Sequence, residues 1–289
     1  MKIGCSSWSF SKFFEEKRIS LPEFISKAAK LGCEGVELND FYFQKHFGGP
    51  GVPVPDDYLK SLMEEASSSG IEICAIAVSG SPAVVHNLEE KKKRAKDLKM
   101  WTEVGGKLEV PVMRVTTGFQ AEGIPYAKQV HWVRDIFKEC IKTAEDYDIV
   151  YAIEPHDSIC HSAEGLIWLI ESVGSERLGA CPDPLNWGIQ PVTLIPGQKP
   201  IEAIYVETER IAPYTVHAHA KMSTFDEKGE VYVTNPVTKE KWHLDYERII
   251  NIFRKAGFEG YQALEIYGEG KEAPEESVKK GVALLRKYV

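Results

Sequence analysis

The stretch Thr215-Val216-His217-Ala218-His219-Ala220-Lys221-Met222 sets two imidazoles and an ammonium at alternate positions. In an extended chain successive side chains point to opposite faces, so His217, His219 and Lys221 share one face and Val216, Ala218 and Ala220 the other. Small apolar residues suit a face covered by helices. The polar face needs partners, because a buried polar group left unsatisfied costs roughly 1–3 kcal/mol. Carboxylates or a metal ion would serve.

Carboxylates stand at matching places. Glu154 and His156 share a face at the end of Ala152-Ile153-Glu154-Pro155-His156. Asp183 ends Cys181-Pro182-Asp183, Glu265 ends Ala263-Leu264-Glu265, and Glu37 lies in the early strand Gly35-Val36-Glu37-Leu38-Asn39. If these strands are parallel staves of one barrel, Glu154, Asp183, His219 and Glu265 converge near its axis. Two Glu, one Asp and one His form a hard, mostly oxygen donor set for one divalent ion. Mn²⁺ is favoured, Mg²⁺ and Co²⁺ suit it, and Zn²⁺ also fits. Three carboxylates at such close quarters cannot all stay ionised without a cation.

The elements that must position these groups alternate strand and helix. Strands are predicted over Lys2–Ser6, Cys33–Asn39, Ile71–Val78, Val112–Thr116, Val150–Glu154, Leu178–Asp183, Thr215–Met222 and Gln262–Ile266. Helices are expected between them, among them a long one over Ala127–Tyr147 with Val130, Val133, Phe137 and Ile141 on one stripe. Eight alternations in one uninterrupted domain, 1–289, predict an α/β fold, a single (β/α)8 TIM barrel. An open doubly wound sheet is the other arrangement, but Gly4-Cys5-Ser6-Ser7 is not the glycine-rich phosphate turn such a sheet leads one to expect. Long loops are expected after strands two, six and seven, with a hairpin turn at Asp226-Glu227-Lys228-Gly229. All leave the strand ends where barrel active sites are built.

Bulk properties narrow the classes. A formal charge of −8 and a pI near 5.6 argue against non-specific nucleic-acid or membrane partners. Six cysteines without a Cys-x-x-Cys pair fit a reducing cytoplasm. The N-terminus enters a strand at once, without a signal-peptide layout, and no apolar run approaches the roughly 18 residues of a membrane helix. A cytoplasmic enzyme is expected; a homo-oligomer stays open.

At these residues the chain resembles the xylose isomerase-like barrel superfamily, in its sugar phosphate isomerase/epimerase branch. The matching motifs are Glu154-Pro155-His156, Asp183-Pro184-Leu185-Asn186, His219-Ala220-Lys221-Met222 and the isolated Glu265. The resemblance implies a divalent metal on Glu154, Asp183, His219 and Glu265, a small carbohydrate substrate, and a proton moved by the pair Glu154 and Glu265. Asn186 stands where many members have a histidine, Met222 where many have an acid, and Ser223 to Asp226 offers no arginine.

Around this core, substrate contacts are expected from His156, Lys221, Asn186, Glu37, Trp8, Arg114 and Trp187. Each has a plainer reading beside it. His156 would otherwise cap the next helix, Lys221 pair with Glu265, and Glu37 make a structural hydrogen bond. Trp8 and Trp187 would be packing, and Arg114 would bridge to Glu37 or Glu154. The expected reaction is isomerisation or epimerisation through an enediolate. A lyase, decarboxylase or dehydratase acting on a keto-sugar acid would use the same site. A repair endonuclease on the same barrel would need three zinc ions and more histidines than strands three and four offer, and a non-catalytic sugar-binding barrel is the last alternative.

Overall fold

The computed structural model describes residues 1–47, 53–79, 83–189, 200–234 and 240–289. Eight parallel strands form one sheet: β1 (Lys2–Ser6), β2 (Gly35–Asn39), β3 (Glu72–Val78), β4 (Val112–Thr116), β5 (Val150–Glu154), β6 (Leu178–Ala180), β7 (Ala218–Met222) and, after three short strands, β11 (Tyr261–Ile266). Their order is β6-β5-β4-β3-β2-β1-β11-β7. The sheet closes where the amides of Val216 and His217 donate to the Ala180 carbonyl, at 3.0 and 3.4 Å, and that of His219 to the Pro182 carbonyl at 2.9 Å. This is the expected (β/α)8 barrel.

Helices α1 (Ser11–Glu15), α2 (Leu21–Lys30), α3 (Asp40–Phe47), α4 (Asp56–Ser69), α5 (Leu88–Lys107) and α6 (Tyr126–Asp146) follow the first four strands. Then come α7 (Ala163–Val173), α8 (Pro184–Ile189), α9 (Pro200–Ile211), α10 (Tyr246–Lys255) and α11 (Pro274–Leu285). Their ends carry sequence signals. Ser20 and Glu23 form a capping box on α2, Asn87 caps α5 and Ser162 caps α7. Gly70 and Gly174 end α4 and α7 in the left-handed conformation, at φ 65° and 70°, where a Cβ would be penalised. Among the described residues, no helix is long and apolar enough to cross a membrane.

Alternation divides each strand between two cores. Outward residues such as Val36, Ile76, Met113, Ile153, Ala218, Ala220 and Leu264 pack into the large cluster beneath the helices. Inward Ala75, Val112, Ala152 and Cys181 form a small cluster inside the barrel. Val216, expected on the helix face with Ala218 and Ala220, packs against it instead because it lies before the regular part of β7. Gly35 sits there because a Cβ would come within 2.5 Å of the Tyr261 ring.

Five strands differ from expectation at one boundary. β2 begins at Gly35 rather than Cys33, β3 at Glu72 rather than Ile71 and β11 at Tyr261 rather than Gln262, and the two larger differences are in β6 and β7. Regular pairing in β6 stops at Ala180 rather than Asp183, because Pro182 has no N–H and the Asp183 carboxylate instead accepts from the Leu185 amide at 3.0 Å. β7 begins at Ala218 rather than Thr215, the residues before it bonding across to β6. Met222, wholly buried among the outward residues, faces the helix layer, on the side of the strand opposite Lys221.

The expected hairpin at Asp226 is present. Strands β8 (Thr224–Phe225), β9 (Val231–Thr234) and β10 (Lys241–Leu244) form an antiparallel sheet, turned where the Gly229 amide donates to the Asp226 carbonyl. The loops expected after the second and sixth strands fall largely on 48–52 and 190–199, outside the described residues, as do 235–239 beyond β9.

Candidate metal centre

Glu154, Asp183, His219 and Glu265 meet inside the barrel, each offering a ligand atom within 4.8 Å of the others, and all are buried. They come from β5, the segment after β6, β7 and β11. His219 Nδ1 lies 3.3 Å from Glu154 Oε1 and 4.0 Å from one oxygen each of Asp183 and Glu265. None of these completes a hydrogen bond to it.

The other ring nitrogen is anchored. His219 Nε2 sits 3.0 Å from Glu37 Oε2, and His217 Nε2 shares the same oxygen at 3.1 Å. A carboxylate on Nε2 holds the proton there and turns the Nδ1 lone pair toward the carboxylates, which is how metal-binding histidines are oriented. Glu37 is wholly buried beneath the cluster. Of the two roles expected of Glu37, the structural hydrogen bond is the one its Oε2 makes, shared by both imidazoles, while its Oε1 has no hydrogen-bond partner among the described residues.

The charges do not balance among the side chains. Glu37, Glu154, Asp183 and Glu265 supply four carboxylates, against two permanent cations, Arg114 and Lys221, leaving a deficit of two positive charges. Burial pushes the Glu154 carboxyl up, but Arg114 and His219 outweigh it and hold it well below the usual range. Burial likewise opposes ionisation of Glu265, and Lys221 and His219 overcome it. Asp183 is left raised by burial, with Glu265 and Glu154 adding to the effect. Burial would keep His219 neutral, yet Cys181, Glu37, Glu154 and Glu265 draw a proton onto it. A divalent cation would meet the same deficit and displace that proton. The donor set, the oriented Nδ1 and the missing two charges all fit the ion.

Lys221 Nζ lies 2.7 Å from Glu265 Oε2 and 2.9 Å from Asp183 Oδ2, and donates to Asn186 Oδ1 at 3.0 Å. Asn186 Nδ2 in turn donates to Glu154 Oε1 at 3.0 Å, so this amide ties the lysine to the opposite carboxylate. Arg114 pairs with Glu154 rather than Glu37, Nε to Oε2 at 3.1 Å. His156 does not cap α7; its half-exposed ring holds Asp157 Oδ1 at 2.9 Å. Trp187 is 1% exposed and donates its indole N–H to the His161 carbonyl, so its ring is core packing rather than a stacking face. Trp8 is half-buried in the turn after β1.

Three residues near the site escaped the sequence patterns. Asp157 accepts from the Gly118 amide at 2.7 Å as well as holding His156. Asp40, buried at the start of α3, has its carboxyl pushed by burial up to about 7 despite Arg114. Lys271, in the 3-10 turn Gly268–Glu272 after β11, lies 3.7 Å over the Trp8 ring. Burial pushes its amine down to about 8. The Glu–Arg and Glu–His pairings were foreshadowed by alternation, whereas nothing local to Lys271 announces its seat.

Comparison with curated proteins returns no match. Among solved structures, D-psicose 3-epimerase from Clostridium cellulolyticum, with D-tagatose, matches at a TM-score of 0.73 and 13% identity, over 100% of this chain and 99% of that one. The E. coli 3-keto-D-glucoside 4-epimerase, in its apo form, matches at 0.69 and 14% over 99% of both chains. A probable 3-DHS dehydratase from Bacillus anthracis matches at 0.64 and 16%, over 98% and 99%. At these identities the likeness speaks for the fold. The family model described as xylose isomerase-like TIM barrel covers residues 25–288, and the chain belongs to that family.

Proposed function

We propose that the protein is a divalent-metal-dependent isomerase or epimerase of sugars or sugar derivatives, in which Glu154 and Glu265 move the proton. The observation that carries this reading is the buried set Glu154, Asp183, His219 and Glu265, which counted with Glu37, Arg114 and Lys221 is two positive charges short of neutrality. These four residues would hold one ion, with Mn²⁺ favoured by the mostly oxygen donors. When bound, the ion would acidify the C–H between a substrate's adjacent carbonyl and hydroxyl oxygens.

The protein's own groups divide the remaining work. Glu154 and Glu265 stay ionised at neutral pH, the state a base needs, but their lowered affinity for protons makes them weak bases. The substrate proton must therefore be acidic, so the two oxygens flanking it matter for reactivity as well as for binding. One carboxylate removes the proton and the other returns it, on the opposite face for an epimer or at the neighbouring carbon for an isomer. Lys221, held protonated by Asp183 and Glu265 against its burial, is a permanent charge beside the growing oxyanion, not a proton donor. Asn186 keeps Lys221 and Glu154 in register, and Glu37 positions His219.

The sugar epimerases among the structural matches support this class, and a probable dehydratase stands beside them. A lyase or dehydratase on a keto-sugar acid shares the first proton removal. What favours it specifically is Lys271, an amine at the mouth with no carboxylate in ion-pair range among the described residues. Purified protein should carry one equivalent of divalent metal, and in heavy water it should place deuterium next to the carbonyl of a ketose or keto-acid. Metal without exchange on any such compound would sink the isomerase reading; sugar binding without exchange would leave a binding protein.

A further inference from the structure

We propose that Trp8 and Lys271 form an anion subsite at the mouth of the barrel, which selects substrates bearing a carboxylate or phosphate at the end remote from the reacting carbonyl. The inference rests on the sugar isomerase or epimerase reading and names the substrate class of that same site.

The two residues sit on neighbouring turns. β1 and β11 pair in register, Gly4 with Ala263 and Cys5 with Leu264, and each runs into a 3-10 turn at its C-terminal end. Ser9 pins the first turn to the second strand: its hydroxyl donates to the Leu264 carbonyl at 3.0 Å and accepts from the Ile266 amide at 2.9 Å. Trp8, one residue before Ser9, is therefore fixed beside the strand that carries Glu265.

The second turn is fixed as firmly. Gly268 has φ +59°, and a Cβ there would come within 2.8 Å of Ser223 Oγ. The Ser277 hydroxyl donates to the Gly270 carbonyl, and Glu272 is held by Lys12 of α1. Its carboxylate is thereby withheld from the adjacent Lys271.

Lys271 is the exception in this crowded acidic neighbourhood. Lys221 contacts two carboxylates and Arg114 one. Among the described residues Lys271 has no carboxylate in ion-pair range, and its one close partner is the face of Trp8. An ammonium over an indole keeps its charge but lacks the strong acceptor that partial burial calls for. Glu265 on β11 and Lys221 on the adjoining β7 lie near enough for their charges to act on it, as does Glu15 of α1. A substrate anion entering over the cluster would supply the absent acceptor, and Trp8 would flank the sugar beneath it.

The test uses full-length protein loaded with Mn²⁺ and three probes: D-fructose, D-fructose 6-phosphate and 5-keto-D-gluconate. Calorimetric titration should show one anionic probe binding at least tenfold more tightly than the neutral ketose, and which one does so identifies the group as phosphate or carboxylate. Lys271→Met should lower that anionic-to-neutral ratio at least tenfold, and Lys271→Arg should restore most of it. An unchanged ratio in Lys271→Met, or no anionic preference in the wild type, overturns the subsite. Deuterium exchange run in parallel separates the two readings. Exchange with an unchanged ratio defeats the subsite alone, whereas a shifted ratio without exchange on any probe defeats the isomerase reading and leaves the anion site.

Discussion

The inner face of this barrel is two different materials stacked on one another. At one level it presents Val112, Ala152, Cys181 and Ala263, side chains that fill space and carry no charge. Two residues further along the same strands it presents Arg114, Glu154, Asp183 and Glu265, every one of them buried. A step of two keeps the face and changes the layer. Apart from Glu37 and its imidazole partners the lower level is apolar and buried, so the charges above it interact through a medium less screening than water. Packing below is thus what makes the chemistry above strong, and the two levels should fail in different ways.

The widest separation should come from Glu265→Gln. Removing one member of the proton-moving pair should slow deuterium exchange by about 10³-fold, while thermal melting by circular dichroism shifts little. An exchange rate within tenfold of wild type would remove Glu265 from the mechanism.

Arg114→Met should blur the boundary between the levels. It leaves Glu154 buried without its 3.1 Å partner and should cost about 3–5 kcal/mol in urea unfolding of the metal-free protein near neutral pH. Part of that loss should return in acid, where Glu154 can take up a proton. A stability unchanged at neutral pH would mean the guanidinium is not what keeps Glu154 ionised.

In the lower level, Gly35→Ala drives a methyl group against the Tyr261 ring and should cost about 1–3 kcal/mol by the same assay. Exchange activity per folded molecule should not change. If activity falls in step with stability, the floor does more than support.

The smallest effect is at the rim. Asp157 is held below its ordinary 3.8, burial being outweighed chiefly by His156, and His156 is raised above 6.5 chiefly by its bond to Asp157. The depressed carboxylate stabilises above about pH 4 and loses its contribution as pH falls through its lowered value. The raised imidazole stabilises below pH 6.5 and loses its contribution as pH rises through its raised value. Unfolding profiles should show the pair's full contribution between these limits, and Asp157→Asn should flatten both flanks. Unaltered flanks would disprove the coupling.

The same two-level arrangement explains what could be seen in the chain beforehand. Strands Lys2–Ser6, Val112–Thr116 and Val150–Glu154 were legible to the residue, since alternating or continuous apolar runs end at a polar group. The metal quartet was legible because its members all sit at strand ends and alternation leaves them one direction to face. Glu37 was ambiguous, since a strand pattern tells that a carboxylate points inward but not which ring lies opposite. Met222 looked like a substituted acid until the register turned it outward. Short helices such as Ser11–Glu15 and Asp40–Phe47 carry too few turns to show a stripe. Lys271 was invisible because its seat on Trp8 joins residues from opposite ends of the chain, brought together only by the pairing of β1 with β11.

Closure itself has one thin place. β6 is three residues long, and its junction with β7 rests on the carbonyls of Ala180 and Pro182. Glu154 and Asp183 lie on one side of that seam, His219 and Glu265 on the other. An ion gripped by all four would act as a clasp across the joint, so that loading the site also locks the cylinder. The amides of Val216, His217 and His219 would then report the clasp directly, their hydrogens trading with solvent faster when the metal is stripped and slower when it is returned.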